Sequence, residues 1–189
     1  MPGPLAVNED GIYGLTVPAQ SIGRIRSGHG NFGVLVRAYT YIRALGREGL
    51  RATGEQAVIS PNYLRVMLDT TFDVPYDRIC MHEFVISGAR QKREHGVRTL
   101  DMAKRLLDYG FHPPTVYFPL IVEEAMMIEP TETESLSSLN RFIDAMKAIA
   151  AEVEHDPAAV FAAPQSTPVR RLDEASAARN PNLRWRREQ

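Results

Sequence analysis

The sequence lacks the features that mark several specialised classes of protein. Its single cysteine, Cys80, cannot form an internal disulfide, which fits a reducing cytosol. There is no run of about 18 apolar residues, and the first residues do not form a signal peptide. The net charge of −1 gives no field that would recruit nucleic acid. We therefore expect a cytoplasmic protein without membrane or nucleic-acid partners.

Lysine is also scarce. Three lysines, Lys92, Lys104 and Lys147, accompany 19 arginines. A lysine that reacts with a carbonyl group needs a desolvated pocket. Lys92 falls in a polar segment predicted to be a loop, whereas Lys104 and Lys147 fall on the expected solvent faces of helices. None of the three is placed for such chemistry.

The sequence does contain a pattern of short strands and amphipathic helices. Residues 1–30 begin with a Pro- and Gly-rich stretch without helical period, which predicts an extended arm or linker. Residues 31–155 are predicted to form a small α/β domain, and residues 156–189 an Arg-rich tail that docks on a partner. The expected class is α/β (α+β), a short, mainly antiparallel sheet packed with helices.

The first half of this domain is predicted to be helical. Asn31 is a plausible N-cap for an amphipathic helix that Gly46 closes. A second helix should cover residues 49–70, and Pro61 should kink or restart it, because proline removes an amide donor.

The second half is predicted to alternate strands and helices. His82–Ser87 should be a strand, and Gly88–Gly96 a polar loop. Thr99 should cap a helix that ends at Gly110. Residues 115–118 and 125–129 should be short strands. Thr131 and Glu134 then form a possible capping box for the longest helix, while Glu123 and Glu124 occupy a turn.

The segment Gly28–Gly33 has the spacing G-x-G-x-x-G, with Glu48 about twenty residues on. The context does not fit a dinucleotide site, because no buried parallel strand precedes the segment and Glu48 falls between two helices. A glycine-rich turn that lets a helix start close to a neighbouring backbone is the preferred interpretation.

Two arginines and one histidine stand out as candidate site residues. Arg24 and Arg26 point to the same side of an extended segment, where they could bind a carboxylate or phosphate, or form a salt bridge between domains or subunits. His82 follows Cys80, but no H-E-x-x-H or paired C-x-x-C pattern supports a metal site. A hydrogen-bonded core position is the plainer expectation for His82.

Four long stretches, residues 21–46, 80–88, 94–135 and 168–185, carry a family resemblance. They include SIGRIRSGHGNFG, CMHEFVISG and the run VYFPLIVEEAMMIEPTETES. Together they resemble the carboxy-terminal portion of glycine dehydrogenase (decarboxylating), the P protein of the glycine cleavage system, in its two-subunit form.

The resemblance implies a type I, aspartate-aminotransferase-like fold, of which this chain would supply the small carboxy-terminal domain. Such enzymes decarboxylate glycine with pyridoxal phosphate and pass the aminomethyl group to the lipoyl H protein. The expected partners are the large pyridoxal-phosphate-binding portion of subunit 2, subunit 1 and the H protein. Since no lysine here is suited to hold the cofactor, the Schiff-base lysine is expected outside this chain.

Two functions therefore remain open from the sequence. In the first, the chain is part of an oxidoreductase, active only with those partners, and Arg24, Arg26, Asn31 and His82 line the cleft from the small-domain side. In the second, it is a non-catalytic α/β module that serves interaction or structure.

Overall fold

The computed structural model describes residues 5–23 and 30–185. The chain divides into two compact units, Met1–Arg47 and Glu48–Gln189, which we call unit 1 and unit 2.

Unit 1 begins with a β-hairpin. Strand β1 (Leu5–Glu9) pairs antiparallel with β2 (Ile12–Thr16). Asp10 and Gly11 form the two-residue loop, and both have positive φ, 51° and 83°. Such loops are common in hairpins because their backbone twist matches that of the flanking strands. They favour Asp-Gly because both loop residues need positive φ. This pairing was not predicted for the arm, although the Asp-Gly pair was a signal for it.

Helix α1 (Phe32–Leu68) starts in unit 1 and contains one break. The Asn31 Oδ1 accepts a hydrogen bond from the Val34 amide at 3.3 Å, which confirms the predicted N-cap. The break lies at Gly46 (φ 62°, ψ −171°), where the first helix was predicted to end. The predicted restart at Pro61 is wrong, because α1 continues through Pro61 with helical torsions.

Unit 2 contains a three-stranded sheet made of β3 (Phe84–Ser87), β4 (Thr115–Val116) and β5 (Ala125–Ile128). The order is β3-β5-β4, and both pairs are antiparallel, as predicted. All four residues of β3 are buried, which agrees with its continuous apolar sequence. The predicted start at His82 is two residues too early.

The polar segment after β3 is a helix rather than the predicted loop. Helix α2 (Ala89–His95) begins after Gly88 and ends at Gly96, which has φ 71°. Its arginines, lysine and glutamine have good helix propensity. The basic residues of its last turn interact favourably with the negative end of the helix dipole. The segment has no apolar stripe, and Gln91 is its one buried residue. The period of apolar residues therefore did not reveal this helix.

Helix α3 (Thr99–Asp108) ends as predicted, since Gly110 follows it with φ 78°. Its N-cap is Arg98, not Thr99. The Arg98 amide donates to the Asp101 carboxylate at 2.9 Å, so Asp101 closes the first turn. The Asp101 carboxylate also accepts a hydrogen bond from the Arg171 guanidinium at 2.7 Å.

The longest helix of unit 2, α4 (Leu136–His155), is followed by α5 (Pro157–Phe161) and α6 (Glu174–Arg179). The predicted capping box of Thr131 and Glu134 is wrong. Ser135 is the N-cap, and its Oγ accepts from the Ser138 amide at 3.1 Å. The helix therefore starts at Leu136.

One apolar core holds unit 2 together. It combines the end of α1, the inner faces of β3 and β5, and helices α3, α4 and α5. Val160 in α5 and Ala163 after it are fully buried, so the first part of the expected tail packs on the core of its own unit. The largest fully buried side chains are Phe72, Leu64, Leu68, Ile86, Met102, Leu106, Met126, Met146 and Ile149.

Candidate functional site

Unit 2 contains a cavity of about 400 Å³ between the start of α4, the end of β5 and the loop before β4. Its apolar wall includes Leu64 of α1 and the aromatic pair Phe111 and Phe142, whose ring centroids lie 5.4 Å apart at 80°. The other lining residues are His112, Pro113, Pro114, Thr115, Met127, Ile128, Glu129, Pro130, Thr131, Glu134, Ser138 and Leu139.

The polar side chains of this cavity include two carboxylates. Glu134 accepts a hydrogen bond from the Ser138 Oγ at 2.6 Å, which fixes its position over the first turn of α4. Glu129, at the end of β5, is exposed. Among the residues that the structure describes, no lysine or arginine lines the cavity. An apolar wall with carboxylates beside it suits a ligand that joins an apolar body to a positive group.

A second polar cluster is centred on Glu124, just before β5. The Glu124 carboxylate accepts from the Thr99 amide at 2.9 Å and pairs with Lys92 at 3.1 Å. Its carbonyl accepts from the Gly88 amide at 2.9 Å and from the Thr99 Oγ1 at 2.7 Å. Burial would raise the pKa of Glu124, but these donors and Lys92 lower it below its usual value. Glu124 thus remains ionised and ties α2 and α3 to the sheet.

Gly88 is required by this junction. A Cβ at Gly88 would lie 2.6 Å from the Thr99 Oγ1 and 2.7 Å from the Met102 Cε, closer than real Cβ atoms approach. The glycine lets the start of α2 lie against the start of α3.

The three lysines are engaged or exposed. Lys92 bonds to Glu123 at 3.0 Å and pairs with Glu124, and these partners raise the pKa of Lys92. Lys104 lies 3.6 Å from Glu174, and Lys147 is exposed on α4. Protonated or exposed amines are poor nucleophiles, because Schiff-base chemistry needs a desolvated, neutral amine.

A network of ion pairs joins α3 to α4. Arg105 binds Glu152 through two hydrogen bonds of 2.9 Å and Asp108 through one of 3.0 Å. The second oxygen of Asp108 accepts from the Gln165 amide at 2.7 Å and from the Ser166 amide at 2.7 Å and hydroxyl at 2.8 Å. Burial would raise the pKa of Asp108, yet these hydrogen bonds lower it to about 2. This network is structural.

The predicted site residues are only partly within the described chain. Arg24 and Arg26 lie outside the described residues. Asn31 is exposed and caps α1 in unit 1. His82 is exposed in unit 2, before β3, so the core position expected for it is wrong. Nearby, both backbone groups of Cys80 bond to the Asn62 side chain at 2.8 and 3.1 Å.

The cavity and the Glu124 cluster were missed from the sequence. Glu123 and Glu124 lie in a turn, as predicted, but the contacts of Glu124 were not predicted. The signal that could have found the cavity is the motif FHPP followed by IEPTETES, since both segments line it. No local pattern indicates Glu124, because its partners lie 25 to 36 positions away.

The described residues contain neither a metal-binding cluster nor a membrane-spanning helix. Within residues 5–23 and 30–185, no group of three His, Cys, Asp or Glu side chains is arranged to hold a metal ion. In the same part of the chain, no helix has the length and apolarity needed to cross a membrane.

Sequence comparison relates most of the chain to one family. The family model described as "Glycine dehydrogenase, C-terminal domain" matches residues 53–169. A probable glycine dehydrogenase (decarboxylating) subunit 2 from Chlorobium phaeovibrioides is 60% identical over 179 residues, which cover 94% of this chain and 37% of the relative. The subunit of the same description from Staphylococcus haemolyticus is 60% identical over 165 residues, 87% of this chain and 33% of the relative.

The chain therefore spans about a third of the length of these curated relatives. Structural comparison finds a crystal structure of glycine decarboxylase (P-protein) of the glycine cleavage system, in inhibitor-bound form, at a TM-score of 0.54 and 21% identity. The match covers 78% of this chain and 35% of that structure. It confirms the predicted fold class, a small α/β domain with a short antiparallel sheet.

Proposed function

Because the chain belongs to the family of the C-terminal domain of glycine dehydrogenase, we propose that it acts as the carboxy-terminal portion of a glycine dehydrogenase (decarboxylating) subunit 2. The complete enzyme would decarboxylate glycine with pyridoxal phosphate and transfer the aminomethyl group to the lipoyl H protein. The observation that carries the proposal is the 60% identity over 94% of the chain to a subunit of that description.

The residues of this chain do not fit the cofactor by themselves. Pyridoxal phosphate needs a lysine in a desolvated pocket beside a cup for its phosphate. Lys92 is held in ion pairs, Lys104 lies near a carboxylate, and Lys147 is exposed. We propose that the lysine lies in the part of the relatives that this chain does not match.

The partners follow from the same proposal. They are the large cofactor-binding portion of subunit 2, subunit 1 and the lipoyl H protein, all in the cytoplasm. The single cysteine, Cys80, is free, which supports a reducing compartment. Arg24, Arg26, Asn31 and His82 remain the proposed contributions of this chain to the substrate cleft.

A chimeric enzyme tests the proposal. This chain replaces the matched region of the Chlorobium phaeovibrioides subunit 2, the chimera is combined with that organism's subunit 1 and H protein, and glycine-dependent exchange of carbon dioxide is measured. We expect activity within about tenfold of the parent, a difference of about 1.4 kcal/mol in transition-state free energy. A chimera that is folded and binds pyridoxal phosphate, yet shows no exchange, would contradict the proposal.

The alternative is a non-catalytic interaction module. The observation in its favour is the complete apolar core of unit 2, which forms without the remaining length of the relatives. Such a module would give a folded chimera without exchange activity, whereas a part of the enzyme would support exchange.

A further inference from the structure

Unit 1 has no interior among its described residues. Every residue of α1 from Phe32 to Ala44 is exposed, including Phe32 at 78%, Tyr39 at 66% and Leu35 at 54%. In the hairpin, Ile12 and Tyr13 are 76% and 80% exposed. An apolar surface of this kind on a folded chain marks an interaction site.

The apolar side chains of this helix lie on opposite faces. At 100° per residue, Phe32, Val36 and Tyr39 share one face, whereas Val34 and Tyr41 lie on the other. Arg37 and Arg43 are the only charged residues from Phe32 to Leu45. The hydroxyl of Thr40 already donates to the Val36 carbonyl at 2.9 Å, so it needs no external partner. A helix that is apolar on all sides is normally enclosed, not laid on a surface.

The hairpin leads to the same conclusion. Its pairing puts Ile12 on one face and Tyr13 and Leu15 on the other, and all three are more than half exposed. A two-stranded hairpin is marginally stable alone in water and needs a surface to pack on.

We propose that the hairpin Leu5–Thr16 and the helical segment 32–45 dock into the portion of the subunit that the relatives carry beyond the matched region, which encloses this helix on both faces. The proposal rests on the proposed function for the identity of that portion. The chain matches only 37% of the Chlorobium phaeovibrioides subunit, so a polypeptide large enough to form such a groove belongs to the same molecule in the relatives.

The chemistry of the groove follows from the helix. It must be apolar on both sides and must offer carboxylates or carbonyl oxygens to Arg37 and Arg43, because a buried guanidinium group without a partner is costly. Unit 1 as a whole has five arginines against Glu9 and Asp10, so the complementary surface is expected to carry an excess of acidic residues.

Cysteine labelling of the chimeric subunit tests this docking. Tyr39→Cys and Tyr41→Cys place a thiol on opposite faces of the helix, and Lys147→Cys on exposed α4 is the matched control. Cys80, measured on its own peptide, is the internal reference. Against the free chain, we expect labelling in the chimera to slow at least about tenfold at both helix positions, and less than about twofold at position 147.

Several outcomes would overturn the proposal. If only one of the two helix positions is protected, the helix lies on a surface and is not enclosed. If the free chain shows protection that rises with its concentration, together with a doubled mass, the occupant is a second copy. If amides 32–45 of the free chain exchange as slowly as those of α4, the helix needs no partner, and this result does not require the chimera to fold.

Cysteine labelling measures docking independently of the glycine-dependent exchange activity. Protection at both positions without glycine-dependent exchange keeps the docking and rejects the proposed function. Full exchange activity with unprotected helix positions keeps the function and rejects the docking.

Discussion

Units 1 and 2 place the same residue types in opposite environments. Leu35 in unit 1 and Leu106 in unit 2 both belong to helices rich in apolar residues, yet Leu35 is 54% exposed and Leu106 is fully buried. In unit 2, helices, strands and the segment after α4 converge on one core. The apolar pattern of a helix therefore does not indicate whether the helix is buried within its own unit.

The two units also differ in their ion pairs. In unit 2, Arg105 and Glu152 join segments 47 positions apart, and Arg171 and Asp101 join segments 70 apart. Within the described part of unit 1, no ion pair is formed. Ion pairs therefore join distant segments of unit 2, whereas the described part of unit 1 contains none.

The largest expected effect comes from shortening an apolar side chain in each of the two units. Leu106→Ala removes a fully buried side chain and leaves a cavity, so it should lower the free energy of unfolding by about 3 kcal/mol. Leu35→Ala, the matched change in unit 1, should cost less than about 0.5 kcal/mol. Urea denaturation of the free chain measures both, and equal costs would show that unit 1 has an interior of its own.

Acid should weaken unit 2 through Asp108. Its folded pKa, about 2, lies below the usual aspartate value, so the unfolded chain binds the proton more tightly. The stabilisation is therefore complete above pH of about 4 and is lost as the pH falls towards 2, a change of about 2 kcal/mol. Asp108→Asn should remove this part of the pH dependence in urea titrations. An unchanged pH profile in the variant would show that other carboxylates cause it.

The ion pairs give a second matched comparison. Glu152→Gln breaks a two-point contact with Arg105 that is mostly shielded from water, and should cost about 2 kcal/mol. Glu55→Gln breaks the exposed pair with Arg51, where water already solvates both charges, and should cost less than about 0.5 kcal/mol. Thermal unfolding of both variants ranks the pairs, and a reversed ranking would contradict the role of burial.

The smallest expected effect concerns helix caps. Ser135→Ala removes the N-cap of α4 and should lower the stability of unit 2 by about 1 kcal/mol. Asn31→Ala removes the N-cap of α1 and should leave the main unfolding transition of the free chain unchanged. If Asn31→Ala shifts that transition as much as Ser135→Ala does, the two units unfold together.

The sequence predicts those parts of the fold that depend on neighbouring residues. Short apolar runs located the three strands of unit 2, and Gly46 and Gly110 marked the break of α1 and the end of α3. The apolar stripe of α4 located that helix, although its start was misplaced by the wrong cap. Glycine torsions, side-chain period and strand composition are local properties, which explains these successes.

The remaining features depend on contacts between distant residues. Helix α2 has no apolar stripe, and its position follows from Gly88 packing against Thr99 and Met102. The cavity combines Leu64 with residues more than 45 positions later. His82 was predicted to be buried because it precedes an apolar run, but the chain turns into the core only at Phe84. The spacing of residues in the sequence does not indicate these contacts between distant segments.

Glu124 also has a consequence for the order of folding. The first amide of α3 is satisfied by a carboxylate 25 positions later in the chain, so a peptide ending at Gly110 would lack that partner. The first amide of α3 and the Gly88 amide before α2 both gain their partner only when Glu124, next to β5, is in place. We therefore expect α2, α3 and β5 to stabilise one another.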